Sequence, residues 1–364
     1  MSLLVDVEQR LGTFELAARF ESAGRLTALF GPSGSGKTSI INMIGGLARP
    51  RRGLIRADDR VLVDTARGLA LPAHKRRIGY VFQDSRLFPH MTVAQNLKYG
   101  RWFSPAGERY ADMDAIVEML GIGALLDRRP AALSGGEMQR VSIGRALLAS
   151  PRLMLMDEPL SSLDDSRKQE IMPYIERLRD ETRIPIVYVS HSIAEVARLA
   201  TDIVVLSQGK VLISGSTAEV MRRPDLLPVE DRSEGGAVIE AAVARQDADN
   251  LMTVLSSQAG DLVVPAIDAP AGTGLRVRIR ARDVMVATER PRGLSALNVL
   301  AGTVQAVRSS GPGQMEIDIA CGDALVVARI TKQSTAALEL AEGRPVFAVI
   351  KTVSFERPTA APRL

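Results

Sequence analysis

A single cysteine, Cys321, stands among 364 residues, and only three histidines accompany it. No disulfide can close within the chain, and no Cys/His cluster is spaced to hold a metal, so a reducing cytoplasm is the expected setting. Long apolar runs are missing too. Nowhere do about 18 uncharged apolar residues follow one another, as a membrane-spanning helix requires. The N-terminus opens on strand-like alternation rather than a signal peptide. Work at a membrane would therefore need a partner. Neither sign of charge is in excess: 46 basic and 42 acidic residues leave a formal charge of +4. That balance argues against nucleic acid even with a pI near 9.4, because such a partner calls for a concentrated basic stripe. The short basic runs at 49–56 and 74–77 read as solvated loops.

What is present is organised around Gly31-Pro32-Ser33-Gly34-Ser35-Gly36-Lys37-Thr38, which fits the P-loop pattern G-x-x-x-x-G-K-[ST]. An apolar, strand-like run at 26–30 precedes it. Ile40, Ile41, Met43, Ile44 and Leu47 follow at helical spacing, giving strand, glycine loop and helix. Glycines let the loop wrap closely enough for backbone N–H groups to face phosphate oxygens, and the helix adds the positive end of its dipole. Lys37 can reach the β- and γ-phosphates, and the Thr38 hydroxyl can ligate Mg2+. Only a nucleoside triphosphate needs all of these together.

Further candidates follow along the chain. Residues 2–20 read as two strands joined near Gly12, with Phe14 either stacked on an adenine ring or packed in the sheet. Gln83 follows the strand-like run 77–82. Residues 88–130 switch to helical patterning, an insertion in the nucleotide fold, and end at Leu133-Ser134-Gly135-Gly136-Glu137-Met138-Gln139-Arg140. Ser134 and Glu137 form an S-x-x-E capping box, and the same exposed N–H groups could bind a phosphate. The apolar strand 153–156 ends in Asp157-Glu158, where α/β sheets place their chemistry. Asp157 would hold Mg2+ through water, and Glu158 would act as general base on the attacking water. Ser161-Ser162-Leu163-Asp164 opens a long polar helix expected to be interrupted by Pro173. A second apolar strand, 186–189, runs into Ser190-His191, whose imidazole could reach a γ-phosphate if the two strands are neighbours. A hairpin closes at Gln208-Gly209.

Together, the P-loop, Gln83, LSGGEMQR at 133–140, Asp157-Glu158, SSLD at 161–164 and His191 resemble the ATPase subunit of an ABC transporter. The resemblance implies an α/β P-loop NTPase with antiparallel β and helical subdomains over 1–230, the helical part at about 86–150. It also implies a homodimer that sandwiches two ATP molecules. Ser134, Gly135, Gly136 and Glu137 would then serve the ATP of the opposite subunit. Ser162, Leu163 and Asp164 would form a dimer-contact loop, and Gln83 would sense Mg2+ and the attacking water. The helical insertion, including 87–93, would dock on an integral membrane permease at the cytoplasmic face of the inner membrane.

Beyond a linker at 224–236, short alternating strands recur in the rhythm of a small β-barrel. The organisation expected is a linker and accessory β segment at 231–293 and a barrel at 294–357. Residues 295–302, 330–334 and 349–351 resemble the molybdate-binding, Mop-type (OB-like) barrel. That resemblance implies an oxyanion held by Ser295, Lys332 and Ser334. Leu297 stands where that family usually has a basic residue, which leaves two readings, oxyanion sensing and a dimer-stabilising scaffold. Residues 75–84 and 87–90 also resemble the molybdate importers. The expected function is thus an ATP-driven motor for molybdate import, served by an external molybdate-binding protein. Sulfate, polyamine or sugar are the alternative cargoes, and a soluble ATPase acting on nucleic acid is the alternative class.

Overall fold

Alternation in the first residues makes a half-buried strand. Leu3, Val5 and Val7 are buried while Glu8 is exposed, so β1 (Leu3–Leu11) turns one face to the core. It pairs antiparallel with β2 (Phe14–Ser22) across a turn in which Gly12 takes φ 62°. The computed structural model describes residues 2–102, 104–223, 226–227 and 235–352, and the chain divides into two units, Met1–Ser216 and Thr217–Ala360.

In the first unit, β3 (Leu26–Phe30) leads through the glycine loop into α1 (Lys37–Gly45). Then come β4 (Arg52–Ala57), β5 (Arg60–Asp64), β6 (Leu69–Ala70), α2 (Ala73–Arg76) and β7 (Ile78–Val81). Helices α3 (Val93–Trp102), α4 (Met113–Met119) and α5 (Gly135–Leu148) form the helical insertion. Helix α5 packs closely on α3 at Gly144, where a Cβ would stand 2.8 Å from Leu97 Cδ2. The chain continues through β8 (Leu153–Asp157), α6 (Asp165–Glu181), β9 (Ile186–Ser190), α7 (Ile193–Leu199), β10 (Asp202–Ser207) and β11 (Lys210–Ser216). Gln208 and Gly209, with φ 47° and 77°, make the expected tight hairpin between the last two.

These eleven strands form one sheet in the order β6-β5-β4-β1-β2-β11-β10-β3-β9-β8-β7. Strands β3, β8 and β9 are buried along their whole length and run parallel with β7 and β10, as the continuous apolar runs in the sequence require. Their carboxyl ends therefore open on the same edge, which is where the glycine loop, Asp157 and Ser190 lie. Ile40, Ile41, Met43 and Ile44 of α1 join Leu155, Val187 and Leu29 of the sheet in one apolar core. Pro173 does not interrupt α6, contrary to the sequence expectation. Burial of Ile171, Met172, Ile175 and Leu178, each contributing about 1.5–3 kcal/mol, outweighs the ~3 kcal/mol that an interior proline costs.

The second unit starts with α8 (Thr217–Met221) and is otherwise nearly all β. Strands β12 (Gly236–Asp247), β13 (Met252–Ser257), β14 (Gly260–Pro265) and β15 (Gly274–Arg280) form a sheet in the order β14-β13-β12-β15. Strands β16 (Val284–Ala287), β17 (Asn298–Gly311), β18 (Gln314–Cys321), β19 (Ala324–Thr331) and β20 (Pro345–Ile350) form another, ordered β16-β20-β17-β18-β19, with α9 (Lys332–Ala337) after β19. Residues from both sheets, Ala237 to Ile350, share one apolar core. The expected linker at 224–236 lies largely outside the described residues, as does the stretch 353–357. In β13, Thr253 occupies a core position. Its buried hydroxyl donates to Gln246 Oε1 at 2.6 Å and accepts from the Ile267 N–H at 2.9 Å.

Candidate active site

The loop between β3 and α1 needs its glycines for different reasons. Gly31 has φ 152°, and a Cβ there would stand 2.1 Å from the Leu206 carbonyl oxygen. Gly36 has φ 104°, and its Cβ would strike Leu16 while lying 3.6 Å from the Phe14 ring. Half-buried Phe14 thus borders the loop, a placement compatible with either role considered for it. Pro32, Ser33 and Gly34 are exposed at the loop's crest. Ser35 is buried, and its hydroxyl has no hydrogen-bond partner among the described residues.

Lys37 turns back into this loop and donates to the carbonyls of Gly31 and Pro32, at 2.7 and 2.9 Å. It is 4% exposed. Burial lowers its ammonium from the ordinary lysine range, against the opposing charges of Glu158 and Asp157. Thr38 donates its hydroxyl to Asp157 Oδ1 at 3.3 Å, and Tyr80 lies 3.5 Å from Oδ2 and 2.9 Å from Asn42 Oδ1. Burial raises the Asp157 carboxyl above the usual range, and Thr38 partly offsets this. A desolvated carboxylate beside a threonine hydroxyl fits Mg2+ that takes its remaining ligands from phosphate and water.

Glu158 follows the strand in a left-handed conformation, φ 45°, a strained position for a non-glycine residue. Its N–H donates to the Val189 carbonyl, and its own carbonyl accepts from the Ser161 N–H and hydroxyl. His191 Nδ1 lies within hydrogen-bond distance of Glu158 Oε2, at 3.2 Å. The two meet because β8 and β9 are adjacent and parallel, with Asp157 opposite Val189. Gln83 is exposed two residues beyond Val81, the last residue of β7, which pairs with Met156. Lys37, Thr38, Asp157, Glu158 and His191 are therefore gathered on one edge of the sheet, and Gln83 follows the carboxyl end of β7.

The octet at 133–140 lies elsewhere. Ser134 caps α5 by accepting from the Glu137 N–H at 3.3 Å, and Glu137 Oε2 accepts from the Ser134 N–H at 2.7 Å. That backbone hydrogen bond holds the Glu137 carboxyl below its usual range. A Cβ on Gly135 would stand 3.0 Å from Leu163, and one on Gly136 would stand 3.4 Å from Ile171. Asp164 caps α6 by accepting from the Arg167 N–H at 2.9 Å, and Ser162 is exposed. No hydrogen bond joins this region to the P-loop among the described residues. In the second unit, Ser295 precedes the Asn298 end of β17. The register Gly311, Gln314, Thr331 puts Lys332 and Ser334 level with its other end. One chain does not bring these three residues together.

Some residues with evident work were not legible in the sequence. Asn96, fully buried, accepts from the Phe88 N–H and donates to the carbonyls of Phe88, Met91 and Thr92, fixing the loop after Gln83. Arg145 of α5 donates to the carbonyls of Ser85 and Arg86. An Asn eight residues beyond a Phe-Pro loop is the sole signal the sequence offers for the first.

A P-loop nucleoside triphosphatase is the class that this fold and site define. The ABC transporter family profile matches residues 21–161, and the TOBE domain profile matches 294–355. The molybdenum import ATP-binding protein ModC of Mesorhizobium japonicum is 66% identical over 98% of this chain and 96% of its own length. The protein of the same name from Rhizobium etli is 53% identical over 98% and 100%. Among solved structures, cbiO1 of Clostridium perfringens, part of an ABC transporter complex, covers 62% of this chain and 92% of its own, with 26% identity and TM-score 0.53. A bacterial ABC transporter cassette solved as a dimer covers 60% and 99%, with 27% identity and TM-score 0.50. The chain belongs to the ATP-binding proteins of ABC transporters, in the family of the molybdenum import ATP-binding proteins.

Proposed function

We propose that this chain hydrolyses ATP to drive molybdate import through a membrane permease, acting as a homodimer on the cytoplasmic face of the membrane. The observation that carries the cargo is the 66% identity, end to end, with a molybdenum import ATP-binding protein. Among the described residues no helix is long and apolar enough to cross a membrane, so a separate permease supplies the path. The docking surface proposed for it is the loop at 87–93. Phe88 of this loop packs on Tyr99 at 4.4 Å, and Tyr99 in turn lies 6.1 Å from Trp102, which is 64% exposed.

In the mechanism, loop N–H groups and Lys37 hold the triphosphate, and Phe14 borders the base. Glu158 takes a proton from the attacking water, and His191 and Gln83 orient the γ-phosphate and that water. Thr38 and Asp157, with Gln83, would hold Mg2+, which supplies charge neutralisation of the phosphates. Ser134, Gly135, Gly136 and Glu137 act on the ATP of the partner copy, so binding closes the dimer and hydrolysis releases it. Ser162, Leu163 and Asp164 lie at the contact. An oxyanion site in the second unit would combine Ser295 of one copy with Lys332 and Ser334 of another, since one chain holds them apart. An external molybdate-binding protein would deliver the cargo.

Uptake by cells lacking the gene provides the test. Molybdate uptake should be lost and restored by the wild-type chain but not by Glu158→Gln. Retained molybdate uptake with lost sulfate uptake would overturn the cargo.

A further inference from the structure

His191 reaches Glu158 from a turn, and the turn is tied to a buried carboxylate that the mechanism above does not use. Glu195, 6% exposed on α7, accepts at Oε2 from Tyr188 Oη at 2.9 Å and from Ser190 Oγ at 2.8 Å. Its Oε1 lies 3.2 Å from Lys168 Nζ, and both side chains are largely out of solvent, at 7% and 19% exposure. Ser190 in turn accepts from the Ser192 N–H at 3.0 Å, so the residues on either side of His191 are held through one carboxylate. Lys168 belongs to the first turn of α6, where its N–H bonds to the carbonyl of Asp164. A buried ionised carboxylate is costly unless its oxygens are satisfied, and here two hydroxyls and one ammonium converge on it. Core packing alone does not call for such a group.

We propose that Glu195 is a positioning residue: it holds the turn 190–192 so that His191 meets Glu158, and through Lys168 it ties that turn to the helix following the 161–164 loop. This rests on the role given to His191 above. The alignment of one imidazole thereby depends on where α6 begins, which is the segment proposed to lie at the dimer contact.

The test uses the full chain with Glu195→Gln, Lys168→Met, His191→Ala and the double variant Glu195→Gln/His191→Ala. Readouts are kcat, KM for ATP and the imidazole NMR signals, which three histidines keep simple to assign. Glu195→Gln should lower kcat about ten- to a hundredfold with KM within about twofold. It should shift the His191 signal but not those of His74 and His90, and should add little to His191→Ala. Lys168→Met, which leaves both hydroxyl bonds in place, should shift the same signal by less. Unchanged kcat and an unmoved His191 signal in both single variants, with His191→Ala still impaired, would overturn the proposal alone. A fully active His191→Ala would instead overturn the reading on which it rests.

Discussion

Burial raises the Asp157 carboxyl, the Glu158 charge acts in the same direction, and Thr38, Tyr80 and Lys37 pull the other way. With the folded-state value above the unfolded one, the folded chain holds the proton more tightly. Stability from this group is therefore lost as pH rises from the unfolded value, about 3.9, through the raised one. Asp157→Asn should raise the Tm of the nucleotide-free chain at pH 7 while removing turnover, and the gain should shrink as pH falls below about 4. A Tm at or below wild type at pH 7 would contradict this. Glu158→Gln keeps the shape of the side chain and removes the base, so kcat should fall about a hundred- to ten-thousandfold with ATP affinity retained, as measured by steady-state hydrolysis and nucleotide titration. The residues of these predictions stood out in the sequence because each ends an apolar strand or fits a contiguous pattern. Tyr80 and Glu195 did not, since their partners Asp157 and Lys168 come from other elements and meet them only through strand register and helix packing.

At the scale of elements, α5 begins with a serine that has two assignable tasks. Ser134→Ala should cost about 0.5–2 kcal/mol in urea unfolding through the lost cap. Ser134→Asp keeps a capping acceptor and should hold stability, yet it sets a negative charge where the partner's γ-phosphate is proposed to bind, and ATPase activity should fall further than in Ser134→Ala. Wild-type activity in Ser134→Asp would remove the proposed phosphate contact and leave a cap. The capping box, the buried parallel strands and the tight hairpin at Gln208-Gly209 were all legible, because each is written in adjacent residues. Pro173 misled because local propensity was outweighed by tertiary burial.

For the whole molecule, the two units carry separate cores, and their proposed ligands differ. Calorimetry of the full chain should show molybdate binding that Lys332→Ala abolishes while leaving ATP hydrolysis intact. No heat with molybdate would favour the scaffold reading of the second unit. The dimer proposed above is joined by a triphosphate that the P-loop of one copy and Ser134–Glu137 of the other hold between them. Light scattering of Glu158→Gln with ATP and Mg2+ should show a dimer that reverts to monomer when ADP replaces ATP. A monomer in ATP, both alone and bound to its permease, would contradict it.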